Sequence, residues 1–349
     1  MENATPAALD VIVPNLNWRY SGVTATNRTI APLLAPRFAV AWLGGHTPAG
    51  LRRLDARALL SLRRQKSRPI VWHARRNNEM AAGLALRALG WPLKLVFTSA
   101  AQRRHTRLTR WLIARMDAVI APSPASASYL QRNATVILHG VDTERFRPPR
   151  AGDVAPPGGP LPARYAIGCF GRVRAQKGTD VFVEAMCRLL PRYPEFCALV
   201  VGPVTPEHRG FEAELKARVR RAELNDRIRF LGERPIDELP TWHRRLLIYA
   251  FTSRNEGFGL TLLEAMASGV AVVAARAGAA EIVVKHGETG MLTPPGDADA
   301  LTQAIEPLLR DPLRAAEMGG KARARVLAAF GAETEAERIG DVYSGLLGG

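Results

Sequence analysis

Residues 246–275 read LLIYAFTSRNEGFGLTLLEAMASGVAVVAA. The apolar run LLIYAFTS has strand length and enters a polar loop that holds Gly257 and Gly259. The loop opens into TLLEAMASG, whose apolar spacing is helical and which stops at Gly269. A second apolar run, VAVVAA, follows directly. Strand, helix and strand in this order make the repeating unit of a parallel sheet.

The same alternation extends in both directions. YAIGCFG, ALVVG and IRFLG precede this unit, each followed by a helical pattern; in the first half DVIVP, RFAVAWL, PIVWH, KLVFTS, AVIAPS and TVILHG read as strands. Residues 151–163, AGDVAPPGGPLPA, carry Pro and Gly without periodicity and suggest a linker. The expected fold is α/β, two Rossmann-like doubly wound domains facing a cleft. The expected boundaries are 1–155, 156–331 and a C-terminal helix in 332–349 that could pack on either domain. Ligands in such folds bind at the carboxyl ends of the strands.

A length of 349 residues and 47% apolar content suit two domains with substantial cores. No apolar run reaches the roughly 18–20 residues that span a bilayer, and the first residues do not read as a signal peptide. Cys169, Cys187 and Cys197 have irregular spacing and apolar neighbours, which indicates core thiols in a reducing, cytoplasmic setting. The net charge of +16 is uneven: residues 1–150 hold 23 Lys and Arg against 7 Asp and Glu. LRRLDARALLSLRRQKSR and AQRRHTRLTRWLIAR read as amphipathic helices, apolar on one face and basic on the other. Such faces attract anionic membrane surfaces or other polyanions, although a merely arginine-rich surface reads the same way. No nucleic-acid-binding motif accompanies the charge, so no specific nucleic acid is expected.

Two loops can do chemistry. Gly171-Arg172-Val173-Arg174-Ala175-Gln176-Lys177-Gly178 follows the strand YAIGCF, and Arg172 and Lys177 suit a diphosphate. The alternative is a basic surface loop that caps the next helix through Thr179 or Asp180. In the second loop Glu256 precedes Gly257-Phe258-Gly259-Leu260, and Glu264 lies about two turns into the helix, facing back. The glycines leave room for a ligand, the helix start favours phosphate, and carboxylates accept hydrogen bonds from sugar hydroxyls. Asp297-Ala298-Asp299 reads as a helix cap rather than a metal site.

Glu256 to Glu264 resembles the E-x7-E motif of the retaining GT-B glycosyltransferases of family 4. GRVRAQKG resembles that family's phosphate loop, and AGAAEIVVKHGETGMLTPPGDADAL the stretch after its donor site. WHARRNNEM and TSAAQRRHTRLTRW are similar to mannosyltransferases of the bacterial lipopolysaccharide core. The resemblance implies that Arg172 and Lys177 bind the donor's diphosphate, Glu264 holds the ribose, and Glu256 orients the transferred sugar. Gly171 and the segment Gly257-Phe258-Gly259-Leu260 would lie against the donor, and backbone amides around Gly22 would reach the phosphates. His73 would sit near the sugar and the acceptor; where the family often has His-x-His, Arg75 stands in the second position. His139 and Asp142 would shape the link between domains. The implied reaction moves mannose from GDP-mannose to an anionic lipid-linked glycan, with no cofactor or metal, and UDP-glucose and UDP-galactose stay open as donors. A sugar-nucleotide epimerase on the same fold and a non-catalytic polyanion-binding protein remain as alternatives.

Overall fold

The computed structural model describes residues 9–18, 21–64, 68–153 and 159–348. The chain forms two compact units: Met1–Gly140 with Ala332–Gly349, and Val141–Gly331. Among the described residues, unit 1 holds a seven-stranded parallel sheet of β1 (Val11–Asn15), β2 (Val40–Gly44), β3 (Arg52–Leu54), β4 (Ile70–Ala74), β5 (Leu93–Thr98), β6 (Ala118–Ala121) and β7 (Thr135–Val136). The spatial order is β3-β2-β1-β4-β5-β6-β7. Its central strands β1 and β4 read as continuous apolar runs because both faces are covered. Val11 and Val13 pack with Ile30, Leu34 and Trp42 on one face. Ile12, Ile70 and Trp72 pack with Met80, Leu95 and Leu112 on the other.

Unit 2 holds a six-stranded parallel sheet: β8 (Tyr165–Phe170), β9 (Phe196–Val201), β10 (Ile228–Gly232), β11 (Leu246–Phe251), β12 (Ala271–Ala275) and β13 (Met291–Thr293), in the order β10-β9-β8-β11-β12-β13. Phe182, Met186 and Leu215 of the intervening helices, with Ile305 and Leu308 of the helix after β13, cover it. In each sheet the direction of strand addition reverses once, between β1 and β4 and between β8 and β11. The loops leaving those neighbouring strands diverge there and open a crevice.

Several expectations change. The boundary expected between residues 155 and 156 lies outside the described residues, and the structure divides the chain earlier, after Gly140. Residues 141–153 join unit 2 through backbone and ionic ties. Val141 N donates to Phe330 O at 2.9 Å, Arg145 pairs with Asp237 at 2.9 Å, and Arg244 pairs with Asp153 at 3.6 Å. The C-terminal helix, Ala332–Leu347, belongs to unit 1, where Ala336, Ile339 and Tyr343 enter the core beside Val11 and Trp42. This gives unit 1 21 Lys and Arg against 9 Asp and Glu, a balance of +12.

The first basic segment is not one helix. Arg52–Leu54 is an edge strand with both arginines exposed, too short for periodicity to reveal, and Ala56–Ser61 is helical; residues 65–67 lie outside the description. In the second, the helix is Arg107–Ile113, capped by Thr106. Leu112 and Ile113 are buried, but Leu108 and Trp111 are exposed among the arginines instead of facing the core. No helix of the described residues is long and apolar enough to cross a membrane. Asp297 caps Ala298–Arg310 as expected, accepting from Ala300 N at 2.8 Å. Cys169 and Cys197 are buried and Cys187 half-buried; burial pushes the Cys169 thiol up to about 11.

Candidate active site

The two motif loops of unit 2 leave adjacent strands, β8 and β11, at the point where strand order reverses. They are stitched together. Arg254 N donates to Gln176 O at 2.9 Å, Thr252 Oγ1 to Lys177 O at 2.9 Å, and Gln176 Nε2 to Asn255 O at 3.3 Å. Gly178 makes this approach possible. Its φ is +67°, and a Cβ there would stand 1.9 Å from the Thr252 carbonyl oxygen.

Asp180 does not cap the helix Thr179–Leu189; the N-cap is Gly178, without a side-chain bond. Asp180 instead receives both guanidinium nitrogens of Arg254 at 2.7 Å each. Burial opposes its charge, but Arg254 prevails and holds its carboxyl below the usual range. This bidentate pair ties the first helix to the second loop, an anchor that linear spacing did not reveal.

On that frame Lys177 Nζ forms an ion pair with Glu256 Oε2, both side chains about one-fifth exposed. Ser253 Oγ donates to the same oxygen at 3.4 Å, and Gly257 N to Oε1 at 3.2 Å. Arg172 is exposed on the same loop as Lys177 and makes no hydrogen bond or ion pair among the described residues. Gly259, with φ +105°, is the N-cap of Leu260–Ala267 and contributes no side-chain cap; its carbonyl takes the Leu262 N–H at 3.0 Å, and among the described residues no side chain caps the N–H groups of Leu260 and Thr261. Phe258 is buried, and its carbonyl accepts from Ala279 N at 2.8 Å, docking the AGAA segment under the loop. Glu264 is one-fifth exposed on the same helix, and the fully buried His243 stands with Nε2 3.5 Å from its Oε2. Sequence reading missed His243 because it ends a five-residue helix, Leu239–His243, in a basic stretch with no motif. Among the described residues no group of three His, Cys, Asp or Glu is arranged to hold a metal ion. Lys177 and Glu256 therefore meet between the two loops, with Arg172 on the first loop and Glu264 on the helix that follows the second. That set can bind a diphosphate and a polyhydroxyl compound together.

Gly22 and His73 belong to unit 1. Gly22 opens the helix Gly22–Leu34, with Ser21 as N-cap. Arg76 fixes that turn: it donates to Ser21 Oγ at 2.9 Å, Thr24 Oγ1 at 3.0 Å and Asn15 Oδ1 at 2.9 Å, and pairs with the fully buried Glu79 at 2.8 Å. His73 takes a different place from the one expected. Its Nδ1 meets Tyr343 Oη at 2.5 Å and its Nε2 meets Thr98 Oγ1 at 2.7 Å. Neither nitrogen is open to a sugar hydroxyl, so we assign His73 to the frame of unit 1. Burial, then the nearby Arg75 charge, push its pKa well below 6.5. His139 bonds through Nδ1 to the buried Glu335 at 2.8 Å, and Asp142 accepts from Arg145 N at 2.9 Å to close a turn. Unit 1 also has a cavity of about 520 Å³ at the ends of β1 and β2, lined by Trp18, Gly45, His46 and Arg53. Trp18 is 96% exposed there, and His46 has a φ of 60°.

The family model "Glycosyl transferases group 1" matches residues 161–325. The chain is 52% identical to a lipopolysaccharide core biosynthesis mannosyltransferase, LpcC, of Rhizobium leguminosarum bv. viciae, over 97% of both chains. It is 46% identical to LpsB of Rhizobium meliloti (strain 1021), a protein of the same description, over 97% of this chain and 98% of that one. Among solved structures, HepE of Anabaena, crystallised with UDP and glucose, superposes with a TM-score of 0.78. It is 21% identical, and the match covers 97% of this chain and all of that one. The C-terminal domain of LpcC from Francisella tularensis is 34% identical, with a TM-score of 0.50, over 55% of this chain and 99% of that one. The two parallel-sheet units, the strand-end site and these likenesses lead to one conclusion: the chain belongs to the group 1 glycosyltransferase family, and it is a glycosyltransferase of the GT-B fold.

Proposed function

We propose that the enzyme transfers mannose from GDP-mannose, with retention of configuration, to an anionic sugar of a lipopolysaccharide core acceptor. It works at the cytoplasmic face of the inner membrane. The observation that carries this reading is the Lys177–Glu256 pair, which joins the two motif loops, in a chain 52% identical along its length to a core mannosyltransferase. Departure of the nucleoside diphosphate leaves an oxocarbenium-like sugar and builds negative charge on phosphate oxygens. Arg172 and Lys177 neutralise that charge, with the open N–H groups at Leu260 in support. Glu256, held by Lys177, Ser253 and Gly257, orients the mannose, and Glu264 holds the ribose diol. The acceptor hydroxyl attacks from the face the phosphate leaves, and a phosphate oxygen takes its proton. Because two protein cations serve the diphosphate, we propose that the reaction needs no metal and no other cofactor.

Two features of unit 1 support the acceptor half. The indole of Trp18 offers an apolar face to a sugar ring, and Arg53 in the same cavity offers a cation to an acidic sugar. Arg103, Arg104, Arg107 and Arg110 are exposed beside Leu108 and Trp111, with Arg115 stacked 3.9 Å over the Trp111 ring. Exposed cations around an exposed indole suit an anionic lipid surface.

A donor panel tests the reading. GDP-mannose, UDP-glucose, UDP-galactose and UDP-GlcNAc are each assayed for thermal stabilisation and slow donor hydrolysis, with and without EDTA. GDP-mannose alone should stabilise and turn over, and EDTA should change nothing. Selective turnover of a UDP-sugar would overturn the donor assignment, and loss of activity in EDTA the metal-free mechanism.

A further inference from the structure

His243 is fully buried, and among the described residues neither ring nitrogen has a hydrogen-bond partner. Its imidazole is wedged among Phe170, Tyr249 and Phe146, at centroid distances of 4.6, 5.5 and 5.7 Å. A phenylalanine would fill the same space without removing two nitrogens from water, so packing alone gives no reason for histidine here. The group that does face it is the Glu264 carboxylate, with Oε2 3.5 Å from Nε2. Glu264 makes no other ion pair among the described residues. The separation is the outer limit of a hydrogen bond, and a small turn of the Glu264 side chain closes it.

We propose that His243 is a positioning residue for Glu264. The Nε2–H donates to Oε2 and fixes that oxygen, so that the other is presented to the two ribose hydroxyls of the nucleotide. A glutamate on a helix surface has three rotatable bonds, and ordering it on binding costs affinity; a rigid buried donor removes much of that cost beforehand. The three aromatic rings keep the imidazole from turning away. This proposal rests on Glu264 being the ribose-binding group.

Calorimetric titration of the full chain with GDP and UDP, which carry the same ribose, and with their 2′,3′-dideoxy forms tests it. The variants are His243→Phe, His243→Gln, Glu264→Ala and the Phe–Ala double variant. His243→Phe should weaken the ribonucleotides on the order of tenfold, the effect of one charge-assisted hydrogen bond. It should leave the dideoxy forms unchanged, raise the donor KM, and spare kcat at saturation. His243→Gln places an amide donor near the Nε2 position and should recover binding to within about threefold of the original. In the Glu264→Ala background, His243→Phe should add nothing. If His243→Phe binds ribonucleotides normally while Glu264→Ala is weakened, the positioning role is wrong and the ribose reading survives. If Glu264→Ala binds normally, the ribose reading fails and this proposal with it. Equal weakening of ribo and dideoxy forms would make His243 purely structural.

Discussion

Lys177 and Glu256, 79 residues apart in the chain, form an ion pair that bridges the loops after β8 and β11. The pair joins the cation expected on the donor's phosphate to the carboxylate expected on the sugar. Losses at the two positions should therefore be coupled. Glu256→Ala should lower kcat by roughly 10²–10³-fold with the fold intact, and Lys177→Ala should act on both donor KM and kcat. Steady-state kinetics of the double variant should show less than the product of the single effects. Strictly multiplicative losses would mean that the pair has no functional link.

Two glycines separate folding from binding. Gly178→Ala forces a Cβ against the Thr252 carbonyl at a positive φ, and should cost about 2–4 kcal/mol in urea unfolding. Gly22 has open space where a Cβ would stand. Gly22→Ala should hold stability within about 0.5 kcal/mol, so any loss of donor affinity reports the ligand. Unchanged affinity would remove Gly22 from the donor site.

Unit 1 should weaken in acid in two stages. His73 has its pKa lowered by burial first and by Arg75 second, so the folded state favours the neutral ring. Its contribution is full above the ordinary 6.5 and is lost as pH falls below that value. Burial works against the charge of Glu335, but His139, Arg75 and the Gly140 N–H outweigh it and lower its pKa. That contribution is full above 4.5 and falls away below it. Melting temperature followed from neutral pH down through 4.5 should decline in both windows, and a flat profile would contradict the two buried networks.

The C-terminal helix should be indispensable to unit 1. Removing Ala332–Leu347 uncovers core around Ile339 and Tyr343, takes Tyr343 from His73 and takes Glu335 from His139. The loss should be upwards of about 5 kcal/mol, enough to unfold a marginally stable unit. Tyr343→Phe alone should cost about 1 kcal/mol. Circular dichroism melts would show both effects.

The basic face gives a prediction that spares the donor site. Replacing Arg103, Arg104, Arg107 and Arg110 together by serine should release the enzyme from anionic vesicles, each cation being worth about 1 kcal/mol there. Trp111→Ser should weaken binding further, while donor hydrolysis stays unchanged. Vesicle flotation that is insensitive to these changes would rule out membrane docking through this face.

Legible along the chain were the α/β class, the strands of both sheets except the short β3 and β13, and the two loops that carry Arg172, Lys177 and Glu256, with Glu264 on the helix after them. These are local matters. Apolar period and glycine placement set where a strand ends, and in a parallel sheet the residues just past that end face the crevice. The remaining features depend on partners far along the chain. His73 reads as a strand-end histidine until Tyr343, 270 residues away, takes one of its nitrogens. An amphipathic pattern tells that the final helix has a face to bury, but not that unit 1 covers it or that Trp111 stays in solvent. His243 gains meaning only when packing sets it 3.5 Å from Glu264. Spacing along a chain records which groups a loop can present; which of them meet, and which are left unpaired, is settled when distant side chains compete for the same buried volume.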